Sequence, residues 1–307
     1  MSVRLVFVTG KGGVGKTTVA AALGLYAAQQ GLRALIVETA SDGQLVTLFE
    51  RRTLSVTVHH LRPQLDAVRV NPRRLVEDYF TAVLRFRWLS ERLFSSSTFN
   101  AVTTAVPGIT EFLLLEKIRE WLTVGWRRRG GGYDLVIVDG PASGHALKLF
   151  ATPRRLGGMV SRGPLSTAAR SLGRLLADRD MTRVLLVSLA EEMAVRETLE
   201  THEVIEHDMG LHVAAPVVNR VFPNRFTPEE AREVDGAAPR DAAATVVLEA
   251  ARFAIASGLE AERHVATLRR ALGTPPILLP LLFTARLRAG ALAPLGKAVG
   301  PAGLTPA

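Results

Sequence analysis

The sequence predicts an α/β fold: a doubly wound, mostly parallel sheet carried in a single domain of 307 residues. Three observations lead there. Apolar runs of strand length are continuous instead of alternating, which is how strands covered on both faces read. Stretches with helical spacing separate them, as crossovers between parallel strands require. The first run opens into a glycine loop that leads directly into the first helical stretch.

Taken in order, residues 4–9 are the first strand, and because the run 5–8 feeds the glycines it reads as part of the fold and not as a signal peptide. Residues 17–30 place Ala and Leu at helical spacing, and Gly31 stops that helix. Residues 34–37 are a second buried strand, and 134–138, 183–187 and 213–218 repeat the pattern, with 276–279 as a further strand. Two stretches, 72–130 and 152–180, carry no strand pattern and are expected to form an inserted helical subdomain. The first is rich in Leu, Phe and Trp with Arg85, Arg87 and Arg92 interleaved, between Asn71-Pro72 and the glycines at 130–132. The small-residue end, 290–307, is expected to fray.

Composition narrows the function. The absence of cysteine excludes disulfides, thiolate metal sites and cysteine nucleophiles. No run approaches the roughly 18 apolar residues that span a bilayer, so a cytoplasmic protein is expected. The formal net charge of +9 raises the question of a polyanion partner. Most of the basic residues are arginines dispersed along the chain, with acids beside them in 197–208, and only Arg127-Arg128-Arg129 forms a tight run. That is a solvated surface more than a nucleic-acid stripe. A nucleic-acid partner is not expected, and membrane association would be peripheral.

The chemistry sits in Gly10-Lys11-Gly12-Gly13-Val14-Gly15-Lys16-Thr17-Thr18. Gly10, four residues, then Gly15-Lys16-Thr17 is the phosphate-loop spacing, in the strand-to-helix context the mechanism needs. Glycines let backbone N–H groups curl around phosphates while the helix directs its positive end at them. Lys16 would reach the β- and γ-phosphates of ATP, and Thr17 would ligate Mg²⁺. Asp139 ends the strand 134–138 and is placed as a carboxylate that holds Mg²⁺ through water. Lys11 on its own is a further positive charge near the phosphates.

Lys11 also makes the loop resemble the deviant phosphate-loop subclass, which includes the ParA and MinD partition ATPases, nitrogenase iron protein and the ArsA group. That resemblance implies a P-loop NTPase fold of the SIMIBI type, a dimer, and a Lys11 that crosses to the partner's phosphates. The segment Asp139-Gly140-Pro141-Ala142-Ser143-Gly144-His145-Ala146-Leu147-Lys148 resembles the switch of the arsenical-pump ATPase ArsA and of the guided-entry (GET) ATPase for tail-anchored proteins. Asp139, Gly144, His145 and Leu147 coincide with that pattern, and Ser143 and Lys148 are conservative. Pro107-Gly108-Ile109-Thr110-Glu111 is similar to the same family's Pro-Gly-Ile-acid-Glu segment, with Thr110 in place of the acid. Val217-Val218-Asn219 is similar to its adenine-contacting motif, which implies that Asn219 reads the base; taken alone, Asn219 also fits a strand-end turn cap, where Asn is common.

The departures matter as much. Without cysteines, neither the zinc clamp of the guided-entry ATPase nor the metalloid thiolates of ArsA can exist here. The family's water-orienting Asp falls on Ala40 when counted without gaps from Gly31, so hydrolysis is expected to be slow while binding survives. Glu38 and Asp42 are the neighbouring carboxylates that could take the role, although a base must stand within about 3 Å of its water. Otherwise Glu38 is a solvent-facing strand end and Asp42 a turn former. Tyr79, Phe80, Phe86, Trp88, Leu89, Leu93, Phe94 and Phe99 fit packed helical core better than an apolar client groove. The resemblance implies an ATP-gated homodimer, or a heterodimer with a second ArsA-like subunit, that controls a hydrophobic client or partner. A positioning ATPase of the ParA or MinD type and a non-hydrolysing scaffold subunit are the rival readings.

Overall fold

The structure is a computed structural model, and it describes residues 3–39, 43–51, 53–84, 104, 106–123, 132–159, 162–284 and 286–304. Ala40, Asp42, Phe86, Trp88, Leu89, Leu93, Phe94, Phe99 and the arginine run at 127–129 lie outside the described residues, as does the side chain of Phe80.

Eight strands form one sheet: β1 (Leu5–Gly10), β2 (Ala34–Glu38), β3 (His59–Arg62), β4 (Leu65–Arg69), β5 (Leu135–Ala142), β6 (Thr182–Leu189), β7 (Val217–Val221) and β8 (Ile277–Pro280), in the spatial order β3-β4-β2-β5-β1-β6-β7-β8. Every neighbouring pair is parallel except β3 with β4. The doubly wound, mostly parallel sheet is therefore as expected, with β1 at its centre. The hairpin β3–β4 adds an edge that the sequence reading did not anticipate. Its turn is Pro63-Gln64, with Gln64 at φ 62°, a left-handed residue without glycine's signature. Val213 lies outside β7 and makes only a bridge to Val184.

Both faces are covered, which explains the continuous apolar runs. On one face lie α1 (Lys16–Gln29), α2 (Gln44–Leu48) and the C-terminal helix Ala293–Leu304, packed with Val6, Val8, Ile36 and Ile137. On the other lie α3 (Pro72–Leu84), α4 (Ile109–Thr123), α5 (Ser143–Met159) and α6 (Pro164–Ala177), joined to Leu5, Phe7, Val136 and Val138. Phe7 meets Phe150 of α5 edge to face, with ring centroids 5.1 Å apart. The described helices of both predicted additions thus share the sheet's own core.

The remaining helices flank the β7–β8 side: α7 (Glu192–Glu203), continued by a π turn (Val204–Asp208), then α8 (Pro228–Gly236) and α9 (Ala242–Leu272). By length and composition α9 is long and apolar enough to cross a membrane, with an 18-residue window of mean hydropathy 1.4, which corrects the expectation that no segment approaches that length. Arg252 Nη2 donates to the carbonyls of Asp235 and Ala237, closing the end of α8.

A second expectation is corrected. Among the described residues, 290–304 do not fray: Ala293–Leu304 forms α10, in which Gly296, Gly300 and Gly303 bring the backbone against α1, while 305–307 lie outside the described residues. A Cβ at Gly296 would stand 2.6 Å from the Ala22 carbonyl oxygen, and one at Gly300 would overlap the Tyr26 ring. Small residues spaced three and four apart are a close-packing face on a helix, not a flexible tail.

Candidate functional site

The C-terminal ends of β1, β5 and β2 meet at one edge of the sheet, where ligands of open α/β sheets bind. β1 ends at Gly10 with φ 145°, and the loop continues through Gly13 at 82° and Gly15 at 95°. Side chains are strained in this backbone region, and at two of these positions there is also no space. A Cβ at Gly10 would overlap the Val187 carbonyl oxygen of β6, and one at Gly15 would overlap the Asn219 amide. Gly15 is the N-cap of α1 without supplying a side-chain hydrogen bond, so the first amides of α1 are left to face the loop.

Around that loop the structure brings together several of the predicted residues. Lys16 Nζ donates to the Lys11 carbonyl at 3.0 Å, which folds its ammonium over the loop. Thr17 is buried in the first turn of α1. Asp139, only 1% exposed, lies on β5 opposite Val8 of β1, while Gly12 and Gly13 stand at the surface. Val14 is buried, and its carbonyl accepts a 2.8 Å hydrogen bond from Asn219 Nδ2, which ties β7 to the phosphate loop. The Asn219 side chain is therefore a brace for the loop. It also lines a cavity of about 180 Å³ with Thr18, Arg220, Pro280, Leu281 and Leu282. A second cavity of about 500 Å³ adjoins it through Thr18 and Leu287, bounded by Gln44, Thr47, Glu50, Arg286 and Arg288.

Glu38 is not the solvent-facing strand end that one reading allowed. It is 1% exposed, and its Oε2 accepts from Arg69 Nε at 2.7 Å. His145 and Lys148 lie exposed on α5, whose first residue, Ser143, donates to Glu197 of α7. Thr39 Oγ1 donates to the Asp139 carbonyl at 2.7 Å, linking the end of β2 to the end of β5. Arg69, Arg220, Glu197 and the 280–288 segment escaped sequence reasoning. Only Arg220 carried a hint, as the neighbour of Asn219, and its φ of 55° turns the chain there.

The donor chemistry suits a small hard cation that keeps most of its own water. Among the described residues no three His, Asp or Glu side chains gather to cage a metal. A threonine hydroxyl and one buried carboxylate beside a phosphate cradle are what Mg²⁺ with a nucleotide requires.

Comparison with known proteins identifies the family. The ArsA_ATPase family model, described as an anion-transporting ATPase, matches residues 3–164. ATPase BagA of Mycobacterium tuberculosis is 28% identical over 245 residues, covering 78% of this chain and 72% of the relative. The arsenical pump-driving ATPases of Acidiphilium multivorum and Escherichia coli are each 26% identical, over 71% of this chain but only 39% of their own length. Since the family match runs unbroken from β1 through the phosphate loop and Asp139 to the end of α5, more than half of the chain, this protein belongs to the ArsA family of P-loop ATPases.

Proposed function

We propose that the chain binds ATP with Mg²⁺ on the loop from Gly10 to Thr18, and that the nucleotide state opens and closes a cytoplasmic dimer controlling a client or partner protein. The observation that carries this reading is the loop itself, a left-handed glycine cradle at the head of α1 with Lys16 folded over it and Asp139 on the adjoining strand. Lys16 neutralises the β- and γ-phosphates, and the loop amides hold their oxygens. Thr17 and Asp139 would hold Mg²⁺, which supplies charge neutralisation at the phosphates. Asn219, with one N–H engaged by Val14, keeps a second N–H and an oxygen for the base edge in the adjoining cavity.

Gating needs the γ-phosphate to favour one arrangement over the other, because a ligand with equal affinity for both shifts nothing. Lys11 is the residue assigned to that difference, reaching the phosphates of a second copy or of a second ArsA-like subunit. The test is sedimentation equilibrium in ATP and in ADP. Lys11→Ala is expected to weaken ATP-driven association by about tenfold or more, roughly 1.4 kcal/mol, with ADP affinity held. Equal losses for ATP and ADP would remove the cross-dimer role.

A second reading, a nucleotide-gated subunit that does not hydrolyse ATP, is favoured by Ala40 together with a Glu38 carboxylate already engaged by Arg69. Single-turnover phosphate release separates the two.

A further inference from the structure

Side chains far apart in the sequence stand in one row at the nucleotide edge of the sheet. β4, β2, β5 and β1 are consecutive, and the register pairs Arg69 with Glu38, Glu38 with Asp139, and Asp139 with Val8. Residues paired in parallel register project to the same face. Here it is the face that α1 covers, since Ala67, Ile36, Ile137 and Val6, two residues earlier on each strand, all lie in its core. Neighbouring strands are about 4.8 Å apart, so Glu38 stands one strand beyond Asp139 from the phosphate loop.

Two carboxylates, each 1% exposed, are thus neighbours at the head of α1. Desolvating a carboxylate is unfavourable, and Arg69 compensates Glu38. Its Nε donates to Glu38 Oε2 at 2.7 Å, while Glu38 Oε1 faces the Leu45 N–H at 3.4 Å. Space for the guanidinium is reserved by Gly43, at φ 66°, where a Cβ would come within 2.7 Å of Arg69 Nη2. Apolar residues of similar volume would serve the sheet as well as a buried ion pair does. The pair therefore points to the site beside it, and a carboxylate with about four acceptor positions retains capacity for water.

We infer, resting on the Mg²⁺–ATP reading above, that Glu38 is a positioning carboxylate of the metal–phosphate site and that Arg69 fixes its aim. Glu38 accepts hydrogen bonds from the water shell that Asp139 also orders, and it does not replace the water-orienting acid missing at Ala40. Arg69 acts through Glu38 and touches no substrate.

The test measures ATP affinity twice for each protein, in Mg²⁺ and in EDTA, so that the ratio reports the metal's contribution without any turnover. Glu38→Gln keeps the shape and is expected to reduce that ratio about tenfold or more, the effect typical of losing an outer-shell partner. Its EDTA affinity should stay within about threefold of wild type, below the 1.4 kcal/mol of a tenfold change. Arg69→Lys, which keeps a charge on Glu38, should retain most of the ratio. Should Glu38→Gln fail to fold, the double variant Glu38→Met with Arg69→Met removes both charges together, a change that buried pairs tolerate, and the same loss of ratio is expected. A ratio unchanged in the folded variant, or affinities that fall equally in Mg²⁺ and EDTA, would overturn the inference and leave the pair structural. A wild type that binds ATP in neither condition would instead refute the nucleotide reading, and this one with it.

Discussion

Gly15→Ala tests whether the loop geometry is held by β7 as well as by its own glycines. Gly15 has φ 95° and ψ 31°, a left-handed conformation that disfavours a side chain by roughly 1–2 kcal/mol. The new methyl would also occupy the position of Asn219 Nδ2. The amide, 4% exposed, must then give up its 2.8 Å bond to the Val14 carbonyl. Leaving a buried group unsatisfied adds about 1–3 kcal/mol, so the substitution should destabilise the nucleotide-free protein by about 2–5 kcal/mol in total. In an Asn219→Ala background the hydrogen bond is already absent and the methyl has room, so the same change should cost only about 1–2 kcal/mol. Urea denaturation of wild type, the two single variants and the double variant measures this, provided the m-values agree. A coupling of about 1–3 kcal/mol is expected. Additivity within about 0.5 kcal/mol would refute the claim that Asn219 braces the loop.

Ala40→Asp should raise ATP turnover by about 10²-fold or more, the usual worth of an oriented base, with ATP affinity unchanged; no gain in steady-state phosphate release would show that the missing acid does not limit the rate. Burial pushes His202 below the ordinary histidine pKa, with His207 adding to the shift and Glu206 opposing it. His212 is also lowered, first by burial and then by Arg183 and Arg179. The unfolded chain therefore binds more protons once the pH drops below about 6.5. Their contribution to stability is complete above that pH and is lost as the pH falls through the depressed folded values. Urea midpoints should hold from pH 7.5 to about 6.5 and then decline. His212→Gln, which still offers Arg183 an acceptor for its 2.9 Å contact, should flatten the decline; an unaltered slope would contradict the assignment.

The parts of the fold legible in the sequence were those where one segment states its own environment. β1, α1, β2 and β5 read correctly because a strand buried on both faces is apolar throughout, and Gly31 ends α1 at φ 81° in the way its residue type suggests. The hairpin β3–β4 was not legible because it lies at the sheet edge, where His59, His60, Arg62, Asp66 and Arg69 interrupt the apolar signal. α10 was misread because glycines that permit close packing look in composition like glycines that permit disorder; only the contacts with Ala22, Leu23 and Tyr26 distinguish them. At the site, the spacing of the loop residues gave away the phosphate cradle. The partners of Glu38 and Asn219 could not be read, since Arg69 is 31 residues from one and Val14 is 205 from the other.

The central claim is that the loop from Gly10 to Thr18 holds a nucleotide, and thermal unfolding of wild type and Lys16→Ala with and without ATP and Mg²⁺ tests it most directly. Lys16 carries the charge over the loop, with Nζ 3.0 Å from the Lys11 carbonyl. Saturating wild type at about 100 times the dissociation constant should stabilise it by roughly 2.7 kcal/mol, a clear rise in melting temperature, and Lys16→Ala should show none. A wild-type melting temperature that does not move at millimolar ATP and Mg²⁺, or one that moves equally in Lys16→Ala, would contradict the account.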